Sequence, residues 1–229
     1  MIKAVAFDLD DTLLLERDYV RSGFRAVAED LKARVSAERD WFAELWRGFE
    51  SGVRGVAFDR VLAAAGVEPR PELVAALVRV YREHRPRIQP PPDVAPALGE
   101  LDLPPGRMGV ITDGPVAAQQ RKFEALGLSR FFGHVIYTDQ WGLEYRKPHP
   151  RAFVEFERLA GVPAAACAYV ADNPAKDFAA PRGRGWRTVR LRRPGGLHEA
   201  EDSVAGQVDR TIDSLGQLRR ALFLERPQE

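Results

Sequence analysis

Three times along this 229-residue chain a short apolar run stops at an aspartate. Lys3 to Phe7 precedes Asp8, Arg107 to Thr112 precedes Asp113, and Ala168 to Ala171 precedes Asp172. Apolar runs of this length without alternation suit strands covered on both faces. His134–Thr138 and Arg187–Leu191 repeat the strand pattern, and amphipathic segments at 116–127, 149–160 and 174–180 lie between the runs. Strands alternating with helices predict βαβ units and an α/β fold built on a doubly wound, mostly parallel sheet. The C-terminal ends of such strands face the edge where ligands bind, so the aspartates are candidate site residues before any motif is considered.

From about residue 16 to residue 90 the pattern is helical instead. Val20, Phe24, Val27 and Leu31 fall on one helix face; Trp41, Phe42, Leu45, Trp46 and Phe49 form a second stripe, and Leu73, Leu77, Val80 and Tyr81 a third. These aromatic stripes are expected to pack between helices, with any exposed part of Trp41–Phe49 available for a homodimer contact; monomer and homodimer both stay open. The stretch Arg85 to Pro92 carries four prolines and predicts an extended return linker. The expected organisation is a core of 1–15 and 91–229 with a small all-helical insertion of 16–90 after the first strand. Beyond a polar loop at 195–206, Asp209–Ile212 is predicted as an edge strand, and Ser214 as the cap of a short helix over Leu215–Leu224.

With 45 % hydrophobic residues and a formal net charge of +1, the chain is expected to fold rather than swell. Basic residues are dispersed, which argues against a nucleic-acid partner. No run approaches the ~18 apolar residues of a membrane span, and the N-terminal run is too short for a secretory signal, so a cytoplasmic location is expected. The single cysteine, Cys167, lies in an apolar stretch and is expected in the core. Lysines are scarce: Lys3, Lys32, Lys122, Lys147 and Lys176 are the whole set.

Four segments carry candidate chemistry. Asp8-Leu9-Asp10-Asp11-Thr12 crowds carboxylates at a strand end, where packing alone would not ask for them; a hard cation or a raised pKa normally accompanies such crowding. Taken alone it is also an acidic turn. Thr112-Asp113-Gly114-Pro115 offers a hydroxyl and turn amides able to hold phosphoryl oxygens, though it is ordinary turn chemistry too. Lys147 stands just before Pro148, and Asp172-Asn173-Pro174-Ala175-Lys176-Asp177 ends another apolar strand in acid.

In this order the four segments resemble the motifs of the haloacid dehalogenase-like superfamily: Asp-x-Asp-x-Thr, a Ser or Thr on the second strand, a Lys, and an acidic pair. The resemblance covers nearly the whole chain, and the helical insertion resembles the superfamily's first cap type. It implies Asp8 as nucleophile, Asp10 as general acid and base, and Thr112 and Lys147 as catalytic groups that hold phosphoryl oxygens. Asp113 is placed beside the phosphate. Mg²⁺ is implied as cofactor, on the Asp8 carboxylate, the Asp10 carbonyl and Asp172, with Asp177 and Asn173 in support.

Asp10 argues against the dehalogenase branch, which lacks that residue. A phosphonate hydrolase would need an insertion lysine, and only Lys32 is present there. The expected activity is hydrolysis of a small phosphorylated metabolite through an aspartyl-phosphate, with a phosphomutase as the nearest alternative and a non-catalytic binding protein as a remote one. Three departures stand out: Asp113 where many relatives have asparagine, Ala171 where glycine is usual, and Pro181 with Gly183 and Gly185, which are expected to truncate the last motif's helix. Substrate choice is expected to lie among insertion residues such as Glu16, Arg17, Tyr19, Arg21 and Arg54.

Overall fold

The computed structural model describes residues Met1–Phe223. Six strands form one sheet, all neighbours parallel: β1 (Ala4–Phe7), β2 (Met108–Thr112), β3 (His134–Tyr137), β4 (Cys167–Ala171), β5 (Arg187–Leu191) and β6 (Arg210–Ile212). Their spatial order is β3-β2-β1-β4-β5-β6. This is the doubly wound order, and its switch point lies between β1 and β4, where the chain's direction of travel across the sheet reverses. Every residue of β1, β2 and β4 is buried, as expected of strands covered on both faces.

The chain divides into two compact units, Met1–Arg17 with Gln89–Glu229 and Asp18–Ile88. The first unit holds the sheet and the helices α5 (Val94–Glu100), α6 (Val116–Leu126), α7 (Arg151–Ala160), α8 (Ala179–Gly183) and α9 (Leu218–Phe223). α6 and α7 each end at a glycine in the left-handed region, Gly127 at φ 64° and Gly161 at φ 62°, where a side chain would cost energy. Phe153, Phe156, Tyr169 and Trp186 fill one face of the sheet with edge-on aromatic contacts, and buried Cys167 joins them. The Trp186 indole donates to Glu157, which also receives a two-pronged ion pair from Arg184.

The second unit is helical: the greater part of α1 (Glu16–Arg34), then α2 (Trp41–Glu50), α3 (Ala57–Ala64) and α4 (Pro71–Glu83). Asp40 caps α2 by accepting from the Ala43 amide at 3.0 Å, and Pro71 opens α4, where its missing N–H costs nothing. Phe24, Phe49, Phe58 and Tyr81 meet as a ring cluster inside this unit, so the aromatic spacing serves packing.

Two sequence expectations need correction. The helix expected over 174–180 begins only at Ala179, because Asn173 and Asp177 close a turn and Pro181 fits only a helix's first turn. Asp177 therefore lies ahead of the helix, not on it. The C-terminal helix begins as a 3₁₀ turn, Leu215–Gln217, with Ser214 accepting from the Gly216 amide, before α9; Leu224 lies outside the described residues.

Gly109 shows how tightly β2 is covered: a Cβ built there would come within 2.5 Å of the Phe156 ring. Gly109→Ala is expected to cost about 1–3 kcal/mol by overpacking, read as a lower urea midpoint with an unchanged m-value.

Candidate active site

The carboxyl end of the sheet gathers most of the residues expected from sequence, and one ammonium organises them. Lys147 Nζ donates to Asp8 Oδ1 at 2.6 Å and to the Tyr169 hydroxyl at 3.0 Å, and lies 2.8 Å from Asp177 Oδ1. Its side chain is fully buried, and the two carboxylates are no more than 5 % exposed. Burial works against the charge on Lys147, but Asp177 and Asp8 outweigh it, so its pKa lies well above the ordinary lysine value.

Asp8, Asp172 and Asp177 each offer an oxygen within 4.8 Å of the others, all buried. Desolvation pushes Asp8 up from 3.8 to about 6 despite Lys147, and desolvation with the charges of Asp8 and Asp177 drives Asp172 well above the usual carboxylate range. Three carboxylates thus share the one lysine that touches two of them. Buried, close and all-oxygen, this donor set fits a hard divalent cation, which would relieve the crowding. One Asp177 oxygen forms an ion pair with Lys147 at 2.8 Å and the other accepts from the Asn173 amide at 3.0 Å, so this carboxylate links Lys147 to the turn.

Asp10 turns elsewhere. Its two oxygens accept from Lys122 Nζ at 2.6 Å and Gln119 Nε2 at 2.9 Å, both on α6. Burial opposes the Asp10 charge, but Lys122 and Gln119 prevail and its pKa falls. Gln119 Nε2 also donates to the Thr112 hydroxyl, joining the first two motifs through one amide. Asp11, at φ 51°, adopts the left-handed backbone that Asp tolerates. Its carboxylate accepts from the Glu16 amide at 2.8 Å and the Leu197 amide at 2.9 Å, which fixes the start of α1 and the loop after β5.

Asp113 is a junction. Its Oδ1 accepts from the Thr138 hydroxyl at 2.8 Å and the Lys147 amide at 3.1 Å, and its Oδ2 accepts from Lys176 Nζ at 3.1 Å. The carboxylate thereby ties the ends of β2 and β3 to the Lys147 loop. Asn173 Oδ1 accepts from the Ala175 amide, and its Nδ2 lies 2.9 Å from His198 Nε2. Arg190 is 1 % exposed and donates to the carbonyls of Asp172 and His198 and to the Ser203 hydroxyl, so a buried guanidinium holds the Asp172 turn against the loop after β5.

Sequence reasoning gave no role to Lys122, Gln119, Tyr169, Thr138, Arg190 or His198. For Lys122 a signal existed: with so few lysines, one spaced three residues from Gln119 on the helix after the second motif shares its face. Tyr169 was hidden because a tyrosine in an apolar strand is usually core.

The family model for haloacid dehalogenase-like hydrolases matches residues 2–183. A glyceraldehyde 3-phosphate phosphatase of Methanopyrus kandleri is 36 % identical over 205 residues, covering 84 % of this chain and 85 % of the relative. An (S)-2-haloacid dehalogenase of Xanthobacter autotrophicus is 26 % identical over 243 residues, covering 99 % and 90 %. Among solved structures, a putative hydrolase of this family from Bacillus subtilis, bound to magnesium, superposes with a TM-score of 0.69 at 21 % identity, covering 97 % of this chain and 99 % of that one. No helix among the described residues is long and apolar enough to cross a membrane.

Because Asp8 binds its proton more tightly folded than unfolded, its contribution to stability falls as pH rises from 3.8 through about 6. Metal-free Asp8→Asn, which mimics the protonated form, is therefore expected to unfold at a higher temperature than the wild type at neutral pH. Below that window the gap should close, and a saturating hard divalent cation should favour the wild type instead. Melting curves across pH test this; a gap that ignores pH would contradict the raised Asp8 pKa.

Proposed function

The chain belongs to the haloacid dehalogenase-like hydrolases, and we propose that it is a Mg²⁺-dependent phosphohydrolase that cleaves a small phosphomonoester through an aspartyl-phosphate on Asp8. The observation that carries this reading is the division of labour between two aspartates two residues apart. Asp8 faces Lys147 and the carboxylate cluster, while Asp10 is held apart from it by Lys122 and Gln119. A nucleophile and a separate proton carrier are what phosphoester hydrolysis requires. Halide leaves carbon without a proton, so its displacement would have no use for the acid role of the second.

In the proposed cycle, an Asp8 oxygen attacks phosphorus in line and the ester oxygen leaves with a proton delivered by Asp10, which Lys122 and Gln119 hold ionised at rest and which must first take that proton up from solvent or the monoprotonated ester. Asp10 then takes a proton from water as that water attacks the phosphorus of the aspartyl-phosphate, restoring the Asp8 carboxylate and releasing inorganic phosphate. Lys147, fixed by Asp177 and Tyr169, balances charge on the transferring oxygens, and the Thr112 hydroxyl is offered to the same group. Mg²⁺ suits the all-oxygen donor set; Asp8 and Asp172 would hold it with the Asp10 carbonyl, and when bound it supplies charge neutralisation. The helical unit 18–88 is proposed as the cap that selects substrate. The Methanopyrus relative's name makes glyceraldehyde 3-phosphate the first substrate to test.

The purified protein is expected to hydrolyse p-nitrophenyl phosphate with Mg²⁺, and to stop when EDTA is added. Asp8→Asn should abolish turnover. Asp10→Asn should lose about 10²–10⁴-fold in kcat yet still trap phosphate on Asp8 from an ester whose leaving group needs no proton. Robust turnover by Asp8→Asn would overturn the mechanism.

A further inference from the structure

Lys147 is not the only lysine at the acidic edge. Lys176, in the turn between β4 and α8, reaches Asp113 Oδ2 at 3.1 Å with 35 % of its side chain exposed. Its charge also acts on Asp8 and on Asp10, the two residues assigned to the chemistry. It lies inside the fourth segment, between Asp172 and Asp177, but the motif gives it no role.

Three features make this more than a surface ion pair. Asp113 is held from its other oxygen by the Thr138 hydroxyl and the Lys147 amide, so the carboxylate is the fixed partner and Lys176 the docked one. The backbone that carries Lys176 is fixed as well. Asn173 Oδ1 accepts from the Ala175 amide, Asp177 Oδ2 accepts from the Asn173 amide, and Asp177 is locked to Lys147. The third feature is electrostatic. A lone carboxylate directly after Thr112 would repel a phosphate dianion, whereas a docked ammonium cancels it. An ammonium has three N–H groups, and Asp113 takes one.

We propose that Lys176 is a second phosphate-binding residue, docked on Asp113 so that its ammonium contacts the phosphoryl group that Asp8 attacks. Asp113 is then a positioning residue, and its departure from asparagine and the lysine at 176 form one unit. This inference rests on the phosphohydrolase reading above.

The test measures orthovanadate binding by calorimetry in the presence of Mg²⁺, and inhibition of p-nitrophenyl phosphate turnover by inorganic phosphate. Both are read for the wild type, Lys176→Ala, Lys176→Arg, Asp113→Asn and the Asp113→Asn/Lys176→Ala double variant. Loss of one charge-assisted contact should weaken both anions by about tenfold or more in Lys176→Ala, with Lys176→Arg restoring most of it. The same loss should persist in the Asp113→Asn background. Lys176→Gln provides a second variant should the alanine protein not fold. Unchanged affinity in Lys176→Ala overturns the inference, and so does full recovery in the double variant, which would make Lys176 only a counter-ion for Asp113. A wild type that hydrolyses no phosphomonoester overturns the underlying reading; a wild type that does, beside an indifferent Lys176→Ala, overturns this inference alone.

Discussion

The bond from Lys147 to Asp8 is the interaction on which the site depends. A buried ammonium is costly unless it is paired and hydrogen-bonded, and here Asp8 and Tyr169 accept from it while the Asp177 carboxylate lies against it as an ion pair. The three partners arrive from different parts of the fold: the end of β1, the turn after β4, and β4 itself. The lysine can be satisfied only when these strands are paired in register, so the charge cluster checks the fold that it occupies. Burial raises the pKa values of Asp8 and Asp172 even so, and the neighbouring carboxylate charges add to the rise.

Cation placement extends the same logic. Lys147 serves Asp8 and Asp177, Lys122 serves Asp10, and Lys176 serves Asp113. Three of the chain's five lysines are thus committed to one edge of one sheet, while arginine supplies most of its other cations. An ammonium is a compact point charge with rotatable donors, suited to sharing among single carboxylate oxygens, whereas a guanidinium prefers the forked pairing that Arg184 makes with Glu157.

Much of this was legible in the sequence because strand ends are local. An apolar run that stops at an acid announces both the strand and the edge, and β1, β2 and β4 end within a residue of the expected positions before Asp8, Asp113 and Asp172. What was not legible depends on contacts between distant segments. The reach of Lys122 and Gln119 to Asp10 spans more than a hundred residues of chain, and no spacing encodes it. The helix after Asp172 was misplaced for a different reason. Periodicity cannot see that Asn173 and Asp177 close a turn between themselves, which delays helix entry to Ala179.

The position of β1 has a kinetic consequence. It precedes the other strands of the sheet in the chain and lies centrally among them, yet its neighbours β2 and β4 lie about 100 and 160 residues downstream, a contact order that favours slow closure. The helical unit 18–88, whose contacts are local, can form while β1 still waits for both partners. An emerging chain therefore carries an unpaired apolar strand through much of its synthesis. Its brevity, four residues followed at once by Asp8, limits the hydrophobic edge that such an intermediate offers to other chains.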